Sequence, residues 1–86
     1  MSVVNKRSKA ARAEALLRDE TFIQVMQEVT DGATALFLDP SSDNVRLSEA
    51  HERIRLVHMF RDQLQGWISD AAIAEKREKA QHRGID

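Results

Sequence analysis

The chain has no cysteine among its 86 residues, which excludes disulfides, thiolate metal clusters and a thiol nucleophile, and fits synthesis in a reducing, intracellular setting. It has one proline and three glycines, so little interrupts a regular element and no glycine-rich phosphate loop is available. Tyrosine is absent and aromatics make up only 5% of the chain. No run approaches the roughly 20 apolar residues of a membrane span, and the segment from Met1 to Arg7 lacks the apolar stretch of a secretion signal. A soluble, cytoplasmic chain is the expectation. At this length one small domain is expected, with a core that leaves a narrow margin of stability unless something else is added.

Charge is plentiful and unevenly placed. Charged residues are 31% of the chain and the formal net charge is −1, yet residues 1–18 carry +4, residues 19–74 carry −6 and residues 75–86 carry +1. A near-neutral total therefore hides a basic arm on an acidic body.

Helical periodicity dominates two long segments, Phe22 to Leu38 and Val45 to Ala74, separated by Asp39-Pro40-Ser41-Ser42-Asp43. Pro40 disfavours helical geometry at Asp39, so the first of these helices should stop near Leu38. Ser41, Ser42 and Asp43 can cap the next, and Ser48 ahead of Glu49 and Glu52 is a later alternative. Asp19 can cap a helix beginning at Glu20, which predicts a short helix over residues 8–18, a kink near Asp19 and a main helix to Leu38. The expected layout is one all-α domain: a basic N-terminal arm or short helix over 1–18, a helix over 19–38, a turn over 39–44, a helix over 45–74 and a charged tail over 75–86. Its centre is a helical hairpin of two long antiparallel helices.

On a helical wheel, Phe22, Ile23, Val25, Met26, Val29, Ala33, Leu36 and Phe37 fall within an arc of about 160° in the first helix. Leu47, Ala50, Ile54, Leu56, Val57, Phe60, Leu64, Trp67, Ile68 and Ala71 fall within an arc of about 180° in the second. A helix that faces one neighbour needs an apolar stripe of only about 100°, so each face has room for a second partner. The Ala-rich N-terminal segment, with Leu16 and Leu17, can fold back to give a monomeric three-helix bundle. Its supply of large side chains is thin, and completion by oligomerisation or a larger assembly is the stronger expectation. Phe22, Met26, Val29 and Phe37 are expected to meet Ile54, Val57 and Leu64, leaving Phe60, Trp67, Ile68 and Arg61 for the partner. Arg61 lies inside the apolar arc and needs a carboxylate, such as Glu28 or Asp31 across the hairpin, or one from another subunit.

Chemistry of other kinds has little to stand on. His51, His58 and Asp62 share a helix side, but the two-histidine metalloprotease pattern is absent and Arg55 and Arg61 would repel a cation, so a solvated face is expected and no metal or cofactor. Glu28, Asp31, Glu49 and Glu52 lie on polar faces and the serines cluster at turns and caps, which gives no pocket for acid/base or nucleophilic work. No enzymatic activity is expected. Lys6, Arg7, Lys9 and Arg12 form the alternative, a small nucleic-acid-binding or regulatory protein whose arm neutralises phosphates without reading sequence.

The run Leu16-Leu17-Arg18-Asp19-Glu20-Thr21-Phe22, followed by the hairpin and the spaced pattern Glu52-Arg53-Ile54-Arg55-Leu56 to Gln63-Leu64, resembles small helical proteins encoded among the morphogenesis genes of tailed bacteriophages and prophages. The likeness covers about residues 16–74. Where those proteins often carry proline after the aspartate, this chain has Glu20. The resemblance implies a minor virion or assembly protein present in several copies, in the host cytoplasm or the particle, with no catalytic residues to carry over.

Overall fold

The computed structural model describes the backbone of residues 3–85 and the side chains of residues 3–81. Among these residues there are three helices, α1 (Val3–Arg18), α2 (Glu20–Leu38) and α3 (Asn44–Ile85), and no strand. The protein is all-α.

Aspartates set three of the helix boundaries. Asp19 adopts an extended backbone (φ −66°, ψ 125°), and its carboxylate accepts a hydrogen bond at 2.8 Å from the Phe22 N–H. That satisfies one of the free donors at the start of α2 and contributes about 1 kcal/mol. Asp39 closes α2: its N–H still reaches the Ala35 carbonyl at 3.1 Å, but ψ of 114° turns the chain away, as the proline that follows requires. Its carboxylate then accepts from the Ser41 hydroxyl at 2.7 Å and the Ser41 N–H at 2.9 Å. Those two bonds, hydroxyl first, hold the Asp39 carboxyl below its ordinary pKa. Asp43 caps α3 by accepting from the Arg46 N–H at 2.9 Å, which leaves Ser48 inside the helix rather than at its start.

Two boundaries differ from the sequence expectation. The N-terminal helix begins at Val3, not at residue 8, because no proline or glycine interrupts the segment and it packs on α3 through Ala10 and Ala13. The helix expected to end at Ala74 runs on to Ile85. The tail from Glu75 to Ala80 is made of strong helix formers, and Arg7 of α1 pairs with it: its Nε donates to Glu75 at 2.7 Å and its Nη2 lies 4.0 Å from Glu78. The first two residues of the basic arm and the last of the tail lie outside the described residues.

Packing centres on α3, which runs back past α2 and then past α1, while α1 and α2 touch each other little. The inward positions of α3 recur at alternating steps of three and four: Leu47, Ala50, Ile54, Val57, Leu64, Ile68 and Ala71 are buried or half-buried, and the exposed Arg61 fills the one gap of seven. Such a 3–4 repeat is the seam of two helices packed at a shallow angle. Val3, Lys6, Ala10, Ala13 and Leu17 repeat in the same way on α1, and Phe22, Met26, Val29, Ala33 and Leu36 on α2. The step from Leu17 to Phe22 is five residues, so the break at Asp19 resets the phase. Two contacts at the seam's edges fix the pairing, Phe37 against His51 and Lys9 against Trp67. Both helices run antiparallel along α3, and Ala10 lies beside Ala71 in the crevice between α1 and α3.

The resulting core is narrow. Its buried members are Ala10, Ala13, Ala33, Ala50, Val57, Leu64 and Ala71. The molecule measures 68 × 24 × 17 Å with a radius of gyration of 18.9 Å, a rod whose length follows from α3's 42 residues at about 1.5 Å each.

Candidate interaction surface

α1 covers part of the face that sequence reasoning reserved for a partner. Trp67 is half-buried, with the Lys9 ammonium 4.7 Å from its ring centroid, a cation–π contact. Ile68 is half-buried beside Ala10, Ala11 and Ala71 in the crevice between α1 and α3. Phe60 alone of the three stays outside, at 58% exposure. Arg61 lies in the phase of the seam but its side chain is exposed, and it forms no ion pair among the described residues. The carboxylates suggested for it across the hairpin are occupied locally: Glu28 accepts from Gln24 at 3.3 Å and Asp31 from Gln27 at 2.9 Å. Phe37, expected in the core, sits at its edge with its ring at 76° to His51 and centroids 4.8 Å apart.

The basic residues are divided. Arg7 and Lys9 turn toward α3, Lys6 shares a notch with Lys9, Trp67 and Asp70, and Arg12 is exposed. The arm expected for nucleic acid is thus a helix with much of its charge directed into its own chain.

A different strip of α3 is open. Leu56 (48%), Met59 (54%) and Phe60 (58%) are exposed together and line one shallow furrow with Gln63. A second furrow lies toward the N-terminus between Val45, Glu49 and Glu52, and a third toward the C-terminus between Met59, Gln63, Gly66 and Asp70. All three follow one line along the helix; the first two are lined by α3 alone, and the third borders α1 through Trp67 and Asp70. Gly66 stands on this line, where an added Cβ would meet nothing within 4 Å. A glycine inside a helix costs about 1 kcal/mol relative to alanine, and no packing within the chain explains that cost. The helical wheel put Leu56 in the same apolar arc as Phe60 and Trp67 and left Met59 out, so it did not separate this strip from the inner face.

Among the described residues no group of three or more histidines and carboxylates is placed to hold a metal ion, and no helix is long and apolar enough to cross a membrane. No family model matches the chain, and no curated protein or solved structure matches it.

Proposed function

We propose that this is a non-enzymatic interaction protein whose helical hairpin acts by packing an apolar face onto copies of itself or into a larger assembly. The observation that carries this reading is the exposed run of Leu56, Met59 and Phe60 on the outside of α3. Seam packing has already consumed the inner face, so these side chains serve nothing within the chain. The surface area points the same way: the molecule exposes 6817 Å², whereas a globular monomer of 9.8 kDa exposes about 5,200 Å². The excess is about twice the roughly 800 Å² that each side of a standard interface buries.

The setting we propose is the assembly of a tailed-phage particle, on the strength of the likeness of residues 16–74 to small morphogenesis proteins. The nucleic-acid alternative is weakened by the engagement of Arg7 and Lys9 with α3. Light scattering coupled to size exclusion tests the main reading. The expected result is more than one chain per particle, or a partly folded single chain that gains order as concentration rises. A cooperatively folded monomer at every concentration would overturn the self-association form of the proposal.

A further inference from the structure

We propose that a second copy of this chain lies antiparallel along the outer strip of α3, with the two copies crossing closest at Gly66. This rests on the self-association reading above and gives it a face, a direction and a register.

The outer strip is a second three–four repeat on the same helix. From Val45 it continues through Glu49, Glu52, Leu56, Met59 and Gln63, and then through Gly66, Asp70, Ile73 and Arg77, each step four or three residues. That spacing is what a helix presents to a partner helix along its whole length. The strip is acidic toward the N-terminus, apolar in the middle and basic at Arg77. A parallel copy would set Glu52 against its own equivalent and Arg77 against its own, like against like. An antiparallel copy overlapping α3 from end to end instead puts Glu52 across from Arg77 of the partner subunit, and Leu56 across from Ile73 of the partner subunit. Both pairings occur twice by symmetry, as a two-fold interface requires. Glu52 is free to make this contact: its local pairing with Arg55, at 3.7 Å, leaves both side chains more than 60% exposed.

The same overlap brings Gln63 onto Gly66 of the partner subunit at the midpoint. There the absent side chain lets two helix backbones approach closely, as small residues do at helix crossings. This supplies the reason for a glycine whose Cβ would meet nothing in its own chain. One pairing is poor, Asp70 opposite Met59 of the partner subunit, but Asp70 shares its notch with Lys6 and Lys9, whose charges offset it.

Sedimentation of the full chain and site-directed cross-linking test the inference together. Gly66→Leu should keep or raise helicity, read by circular dichroism, while abolishing the dimer at concentrations where the wild-type chain is dimeric. Gly32→Leu, at the other helical glycine with open space around it, should leave the dimer intact. Because the chain has no cysteine, the double variant E52C/R77C should form a disulfide between chains on oxidation, and neither single variant should. The two positions lie about 37 Å apart on one helix and cannot join within a chain. A dimer indifferent to Gly66→Leu, or cross-linked through either single cysteine, overturns this register and direction while leaving self-association standing. A chain that stays single at all concentrations overturns both.

Discussion

The two halves of α3's inner seam are built from different materials. Against α2 the seam is apolar throughout: Met26, Val29, Ala33 and Leu36 of α2, and Leu47, Ala50, Ile54 and Val57 of α3, are buried or half-buried. Against α1 large side chains are fewer, Leu17 and Leu64 giving way to Ala10, Ala13 and Ala71. Polar contacts join them, Lys9 on Trp67 and Arg7 on Glu75 and Glu78. One helix therefore holds its first neighbour by volume and its second by close approach with charged clasps at the edge. Exposed ion pairs contribute only about 0.2–1 kcal/mol, and alanines bury little area, so the α1 half is the weaker.

Substitutions can break that contrast. The largest effect is expected from Leu64→Ala, which removes the largest buried side chain among the described residues and should cost about 2–5 kcal/mol in urea unfolding. Ala13→Leu comes next. Ala13 is 1% exposed, and overpacking there should cost about 1–3 kcal/mol. Amide exchange should speed up across α1 while α2 keeps its protection; equal loss in both halves would show that they unfold as one unit and erase the contrast. Asp19→Ala removes the cap between them and should cost about 1 kcal/mol, visible as a lowered thermal midpoint. Arg7→Ala should be smaller, no more than about 1 kcal/mol, and the difference from the wild type should shrink in high salt.

The smallest effect sharpens the turn end. The Asp39 carboxyl is held below its ordinary pKa by Ser41, so its contribution is present above the unfolded carboxylate range. It is lost as pH falls through the folded value. The wild-type thermal midpoint minus that of Asp39→Asn should therefore be positive at neutral pH and shrink on acidification. A difference that grows in acid would reverse the assignment.

This division also explains what could be read from the residues alone. The stop at Leu38 and the start at Glu20 are dictated by Pro40, Asp19 and their immediate neighbours, and local chemistry suffices for both. The attachment of α1 rests on Ala10 and Ala13, which carry almost no hydrophobic signal, so the segment reads as a basic arm. Once α1 is attached, Trp67 and Ile68 change role, from open surface to half-covered contacts, and α3 is supported past Ala74 by Arg7. Of the proposed partner face, Leu56 and Phe60 were legible as members of the apolar arc of the second helix. Met59 was not, and the role of Gly66 stayed open between close helix contact and a tolerated defect, since both depend on which side of α3 is already taken.

The rod shape has a consequence for how the protein behaves in solution. A radius of gyration of 18.9 Å is what a globular chain of roughly 290 residues would have. Passing through a porous matrix, a single copy of this 86-residue chain will travel like a compact trimer. Elution volume alone would therefore report an oligomer whether or not one exists; only a mass measured directly can count the chains.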